Sequence, residues 1–304
     1  MSMRVTEGMT ARGVLTDLSN ARTRLGTIQR EISSTKRISK PSDDPFGTGR
    51  TLQLSSELEG FKQYKSNVSD GTGWVTATEA SLSHITETLQ RARELLVQGG
   101  NDSNGQVARE GIAAEIEALT EAVKQEANAT YDGRFIFSGT ETETRPYELG
   151  ANDEYAGNEG SIKRVIGSGV ELPINVNIKE LLGEGNAAGD NKLLDVMRDI
   201  ATDLRGGTEE NSNNLRGTDL TRLSDNLDEL TRVRAVVGAT TNRLSTAGTR
   251  LEQLEEASLG QLSQVRDTDM PQAIVEYTTQ QTAYETALRA AANIIQPSLL
   301  DFLS

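Results

Sequence analysis

Apolar residues recur at helical spacing near both ends of the chain. The first segment alternates steps of four and three along a heptad seam formed by Val14, Leu18, Ala21, Leu25, Ile28 and Ile32. The last segment repeats this spacing at Met270, Ile274, Tyr277, Gln281, Tyr284, Leu288, Ala291 and Ile295. Such a repeat is typical of helices that pack side by side. Because a lone helix of about 25–30 residues is marginal in water, we expect the first helix to pair with the last.

Prolines and turn residues divide the helical pattern. The sequence Lys40-Pro41-Ser42-Asp43-Asp44-Pro45 predicts a break, because the residue before a proline disfavours helix and Ser and Asp are good N-caps. A Gly- and Asn-rich loop is expected at 99–105, and a second gap after Leu204. Pro297 is expected to end the last helix.

Between the two ends the helical pattern is long. One amphipathic stretch from about 215 to 266 would span roughly 75–80 Å at 1.5 Å per residue. A compact globule of this chain length has a diameter of only about 50 Å. The pattern therefore favours an elongated protein built from long helices.

The middle of the chain changes period. Phe135-Ile136-Phe137 is interpreted as a strand, and 170–178 alternates apolar and polar residues, which predicts a half-buried strand. Ile162, Val165 and Ile166 suggest its hairpin partner. We thus predict a mainly α fold of elongated nested helical hairpins with a small β-rich insertion. The expected domains are a terminal coiled coil (1–45 with 268–304), a helical rod (46–140 with 188–267) and the insertion (141–187).

Composition excludes several classes of function. The formal net charge of −14 argues against nucleic-acid binding, which requires clustered Lys and Arg. The absence of cysteine excludes disulfides and thiolate chemistry. No apolar run approaches the roughly 18 residues of a membrane span, and arginines interrupt the first residues before a signal-like apolar run forms.

Candidate catalytic chemistry is sparse. His84 is the only histidine and lies in a predicted helix, so a surface or packing role is favoured over a catalytic base. Asp43 and Asp44 could act as paired carboxylates, but between two prolines they are better interpreted as caps. We therefore expect no catalytic residue, no cofactor and no metal site.

Several motifs resemble the flagellin superfamily. The stretch 31–38 followed by Ser42-Asp43-Asp44-Pro45, the stretch 89–98, and the last segment from Asp267 to Leu300 are similar to the family's terminal helices. The loop 40–45 and Trp74 resemble the hook-associated branch of type 3, whereas filament flagellins tend to have an alanine-rich loop.

The resemblance implies a structural role without catalysis, at the junction between the flagellar hook and the flagellin filament. Its implied partners are further copies of the chain in a ring, the first hook-associated protein, flagellin, and an export chaperone that holds the C-terminal helix. It also implies export by the flagellar secretion apparatus without a cleavable signal peptide, and an extracellular location.

Assembly is expected to use the terminal seams and the loop between the prolines. The seam residues are Val14, Leu18, Leu25, Ile28, Ile32, Met270, Ile274, Tyr277, Tyr284, Leu288 and Ile295, and the loop residues are Lys40, Pro41, Ser42, Asp43, Asp44 and Pro45. Filament flagellin is one alternative. A soluble coiled-coil signalling module is another, although its single hairpin would not have a β-rich, Gly-rich middle.

Overall fold

The protein is mainly α-helical, as predicted. The structure, a computed structural model, describes residues 7–101, 105–150, 153–185 and 189–301, with side chains described for Met9 and from residue 12 to residue 292 within these ranges. The helices are α1 (Glu7–Ser34), α2 (Pro45–Gly99), α3 (Gln106–Ala127), α4 (Lys179–Leu182), α5 (Leu193–Gly206), α6 (Glu209–Arg216), α7 (Thr218–Arg266) and α8 (Met270–Asp301). The strands are β1 (Thr130–Tyr131), β2 (Arg134–Phe135), β3 (Lys163–Gly167) and β4 (Val170–Pro173).

The chain forms two compact units. The terminal unit contains residues 1–60 and 254–304, and the central unit contains residues 61–253. Each unit is held by its own contacts. The finer division into three parts, with boundaries at 45, 140, 187 and 267, stays a prediction.

In the terminal unit α1 packs against α8, so the predicted pairing of first and last helix is confirmed. The same unit buries Leu54 and Leu58 of α2 and Leu262 of α7 to 6% exposure or less. Leu54 and Leu58 lie four residues apart on α2, as expected for the buried face of an amphipathic helix. Parts of α2 and α7 therefore bury apolar side chains in the same unit as the α1–α8 pair.

The central unit has a continuous apolar core. Side chains from α2, α3, α5 and α7 contribute to it, together with residues between β2 and α5. The predicted stripe of α5 is fully buried at Leu193, Met197, Ile200 and Leu204. The long helix expected from about 215 to 266 is confirmed as α7, which continues through its three glycines.

Two antiparallel hairpins interrupt the helices. The first, β1–β2, turns through Asp132 and Gly133, which have φ angles of 50° and 74°. Positive φ at both central residues is the geometry of a type I′ turn. The expected strand Phe135-Ile136-Phe137 ends at Phe135: the Ile136 amide still donates to the Ala129 carbonyl at 3.1 Å, but Ile136 and Phe137 lie buried in the core beyond the assigned strand.

The second hairpin, β3–β4, confirms the predicted partners but is shorter than expected. Ladder pairing ends where Lys163 meets Pro173. Beyond that point the side chain of Asn175 accepts from the Ile162 amide at 2.8 Å and donates to the Gly160 carbonyl at 2.8 Å. The Ile174 amide also donates to the Ile162 carbonyl at 2.9 Å, so this side-chain amide and one backbone bond follow the ladder. The alternation to residue 178 continues in burial but not in the sheet.

Two boundaries differ from expectation. The gap after Leu204 contains α6, which begins at a capping box formed by Thr208 and Asn211. This pair satisfies amides at the start of the helix, and such reciprocal capping favours a helix even in a polar sequence.

The last helix does not end at Pro297 but continues to Asp301, with one backbone donor missing. Of the loop expected at 99–105, residues 102–104 lie outside the described residues.

None of the helices in the described part of the chain combines the length and hydropathy that a membrane span would need.

Candidate assembly interface

The seam predicted for α1 lies where expected. Val14, Leu18, Leu25 and Ile32 are half-buried, and Ile28 is 8% exposed, while the remaining faces of the helix are exposed. Since α8 is the helix in contact with α1, this seam is occupied by the last helix.

The face of α8 that packs on α1 differs from the predicted one by one step. Met270, Tyr277 and Tyr284 belong to it, but Ile274 and Leu288 are 50% and 43% exposed. The positions with the lowest exposure are instead Met270, Ala273, Tyr277, Gln280, Tyr284, Ala287 and Ala291. Small residues let two helices approach closely, and this explains why alanines occupy the seam. The side chain of Ile295 lies outside those described.

Large apolar side chains remain exposed in the terminal unit. On the paired helices they are Met9, Leu15, Ile274, Val275 and Leu288. On the adjoining ends of α2 and α7 they are Phe46, Leu52, Leu254 and Leu259, with Phe46 89% exposed. An exposed set of this size marks a surface that other protein can cover.

Backbone hydrogen bonds connect the end of α1 with the junction of α7 and α8. Lys36 and Asp267 form an antiparallel bridge. The Arg37 amide donates to the Arg266 carbonyl at 2.8 Å, and the Thr268 amide donates to the Thr35 carbonyl at 3.0 Å. The guanidinium of Arg37 adds a bond to the Val265 carbonyl at 2.8 Å. We call residues 35–38 with 265–268 the cross-bridge.

The loop between the prolines is ordered by its two aspartates. The Asp44 carboxylate accepts from the Gly47 amide at 2.8 Å and so caps α2. Asp43 accepts from the amides of Ser39 and Lys40 at 3.1 and 2.9 Å, which closes the loop. The interpretation of this pair as helix caps is therefore confirmed for Asp44, whereas Asp43 accepts from amides that precede the helix.

Ile38 fixes the position of this loop on α2. It is 7% exposed, and a Cβ at Gly47 would lie 2.5 Å from its Cδ1. The missing side chain at residue 47 therefore makes room for Ile38. Lys40, Pro41, Ser42 and Pro45 are all exposed.

Two carboxyl groups of the terminal unit have shifted pKa values. The amides of Lys40 and Ser39 lower the pKa of Asp43, because they stabilise its charged form. Burial raises the pKa of Glu31 on α1, and the negative charge of Glu276 on α8 adds to this effect. The paired helices thus carry one unfavourable like-charge contact.

The single histidine and tryptophan have structural positions. His84 is exposed, and its Nδ1 lies 3.3 Å from Glu126 Oε1. Trp74 is 2% exposed and meets the ring of Tyr131 edge-on at 6.1 Å. His84 thus lies on the helix surface, and Trp74 is a packing residue.

These features define an α-helical protein whose first and last helices pair in one unit, with a separate central unit between them in sequence. The chain belongs to the bacterial flagellin family. The N-terminal helical region of bacterial flagellin matches residues 6–142, and the C-terminal helical region matches residues 220–303. The family is one of structural flagellar proteins.

Relatives span the whole chain. Flagellar hook-associated protein 3 of Salmonella typhimurium is 27% identical, with 98% of this chain and 98% of that protein covered. Flagellin of Bacillus subtilis is 25% identical, with 99% and 100% covered. The crystal structure of the flagellar junction protein FlgL from Legionella pneumophila has the same fold, with a TM-score of 0.58 at 13% identity, and covers 71% of this chain and 99% of that one.

Proposed function

We propose that this protein is a non-catalytic structural component of the bacterial flagellum that joins the hook to the flagellin filament. The observation that carries the assembly part is the α1–α8 pair, whose seam includes Ala273, Ala287 and Ala291 while Ile274, Val275 and Leu288 face solvent. Apolar surface of this kind is stabilised when a neighbouring copy covers it. The seam then stabilises the α1–α8 pair, and the outer face of α8 contacts neighbouring subunits.

The position at the junction is supported by the full-length similarity to hook-associated protein 3 and by the loop 40–45. The partners that follow are other copies in a ring, the first hook-associated protein on one side and flagellin on the other. An export chaperone would cover the apolar face of α8 before assembly. The protein would reach the cell exterior through the flagellar secretion apparatus.

A deletion strain tests the proposal. Cells lacking the protein should make hooks but release flagellin into the medium, and the wild-type gene should restore filaments. Hooks that carry normal filaments in the deletion strain would refute the junction role. Purified protein that polymerises alone into long filaments would instead favour the flagellin alternative.

A pair of matched variants tests the interface. Ile274→Gln with Leu288→Gln should abolish filament attachment, because it replaces the apolar outer face of α8. Arg289→Gln, a polar change at another exposed position of the same helix, should leave attachment unchanged. Circular dichroism of both purified proteins should match the wild type, since neither change touches the seam. Normal motility of the double variant would contradict the assignment of this face.

A further inference from the structure

We propose that the central unit contains a binding site for an oxyanion, centred on Arg109. A cleft of about 470 Å³ lies between the first turns of α3 and the helix α6. It is lined by Gln106, Arg109, Gly207, Thr208, Glu209, Ser212, Asn213 and Arg216. Neither the family relationship nor the junction role calls for a site here.

Arg109 is the central observation because its charge is buried without a counter-charge. The residue is 7% exposed. Its guanidinium donates to Ser212 Oγ at 3.0 Å, and its buried Nε has no hydrogen-bond partner. Within the described ranges no carboxylate forms an ion pair with it. A buried cation satisfied only by a hydroxyl is costly, and an anion in the cleft would remove that cost.

The surroundings of Arg109 favour negative charge as well. Gln106 is the first residue of α3, and the N-cap of that helix, Gly105, provides no side-chain cap. Thr208 and Glu209 form the start of α6. The N-terminus of α3 therefore borders the cleft with a partial positive charge that no side chain caps, whereas α6 is already capped by Thr208 and Asn211.

A second guanidinium also borders the cleft. Arg216 donates from Nε to the Gly100 carbonyl at 2.7 Å, which fixes its position at the edge. Among the described residues that line the cleft there are two arginines and one carboxylate, that of Glu209, although the whole chain has a net charge of −14.

The ligand is an oxyanion that can accept from a planar guanidinium and from the hydroxyl of Ser212. Carboxylate and phosphate oxygens both match this donor set. The anion has two possible sources, a free ion such as inorganic phosphate or an Asp or Glu side chain of a neighbouring flagellar subunit. The second source rests on the proposed function, whereas the first does not.

The free-ion source is tested by thermal unfolding of the full chain at constant ionic strength. Replacing sodium chloride with 20 mM sodium phosphate should raise the Tm of the wild type by about 2–4 °C if the phosphate site has millimolar affinity. Arg109→Met should remove the shift. Arg243→Met, which removes an exposed arginine of α7, should keep it.

The neighbouring-subunit source is tested on isolated hooks. In that case phosphate leaves the Tm unchanged, but Arg109→Met lowers the amount of protein bound to hooks at least tenfold, while Arg243→Met binds normally. If Arg109→Met does not fold, Arg109→Lys, which keeps the charge but loses the planar guanidinium, replaces it in both experiments.

A wild-type Tm insensitive to phosphate together with normal hook binding of the Arg109 variant would overturn the proposal. A phosphate effect without any binding to hooks would leave the anion site valid and count against the junction role.

Discussion

Lys36 and Asp267 form an antiparallel bridge, so the chain leaving α1 is joined by backbone hydrogen bonds to the point where α7 becomes α8. The neighbouring bonds from the Arg37 amide to Arg266 and from the Thr268 amide to Thr35 extend this cross-bridge. These bonds use main-chain atoms, so they need an amide hydrogen at residues 37 and 268 and not a particular side chain, and the Arg37 guanidinium adds one side-chain bond to the Val265 carbonyl.

Thr268→Pro should loosen the α1–α8 pair. Proline has no amide hydrogen, so the bond to the Thr35 carbonyl is lost while the rest of the cross-bridge remains. We expect faster amide hydrogen exchange in residues 14–32 and 273–291. Thr268→Ala, which keeps the amide, is the control, and equal exchange in the two variants would show that this bond does not hold the pair.

Asp44→Ala should destabilise the start of α2 by about 1 kcal/mol, because the Gly47 amide loses its side-chain acceptor. Chemical denaturation measures the difference. Asp44→Asn retains an acceptor oxygen and should lie within a few tenths of a kcal/mol of the wild type. If alanine and asparagine have the same effect, the cap is not the cause.

Ala273→Leu should weaken the pairing of α1 with α8. Ala273 is 5% exposed, so added side-chain atoms must push the helices apart, at a cost of about 1–3 kcal/mol. Val275→Leu enlarges a side chain on the exposed face of the same helix and should be nearly neutral. Helix content on heating, followed by circular dichroism, distinguishes the two, and a neutral Ala273→Leu would show that the seam has spare volume.

Lys124→Met should destabilise the central unit by about 3–5 kcal/mol. Lys124 is fully buried, and its Nζ lies 2.9 Å from both Asp153 Oδ1 and Glu121 Oε1. Methionine leaves the buried carboxylate of Asp153 with Arg198 as its remaining cationic partner.

Lys163→Met provides the comparison, because the Lys163–Glu171 pair is more than half exposed on both sides and such pairs contribute about 1 kcal/mol or less. Fluorescence of Trp74, the only tryptophan, reports unfolding of the central unit in both variants. Equal free energies of unfolding for Lys124→Met and Lys163→Met would mean that the buried charge of Lys124 does not stabilise the central unit.

Asp219→Asn should stabilise the protein at neutral pH. Burial, with the nearby charge of Asp203, raises the pKa of Asp219 to about 6. A carboxyl whose pKa is higher in the folded than in the unfolded state opposes folding once it is ionised. Its contribution to the free energy of unfolding therefore decreases as the pH rises from about 4 to about 6. Asparagine imitates the protonated form, and it should add on the order of 1 kcal/mol at pH 7 but nothing near pH 4.

The measurement is the difference in Tm between variant and wild type as a function of pH. Thr231→Ser, a change between uncharged residues at an exposed position of the same helix, should give a difference that does not vary with pH. A difference for Asp219→Asn that stays constant from pH 4 to pH 7 would contradict the raised pKa.

The helices were predictable because their signals are local. The α1 seam follows from its 4–3 spacing, and the α2 cap follows from an aspartate placed before proline. The α8 face was harder, because a heptad that includes Met270 and Tyr277 can continue through either Ile274 or Ala273. Hydrophobicity favours Ile274, whereas close packing of two helices favours Ala273, and the sequence of one helix does not contain the partner that decides between them.

Other features had no local signal. The cross-bridge is formed by main-chain atoms, and main-chain donors and acceptors are common to nearly all residues. The helix α6 has a single fully buried apolar residue, Leu215, so periodicity could not reveal it, although Thr208 before a polar run is a capping signal. The burial of Arg109 and Lys124 depends on neighbours that are distant in sequence.

The pairing of α1 with α8 sets an order of events for a chain that is delivered from its N-terminus. Residues 14–32 emerge first, yet the helix they pack against is the last to arrive. The earliest segment therefore has no partner helix until synthesis or transport is complete, and closing such a long loop then adds an entropic cost. Loss of the final helix would therefore leave the opening of the chain without its partner, and a late truncation should be as harmful as an early one.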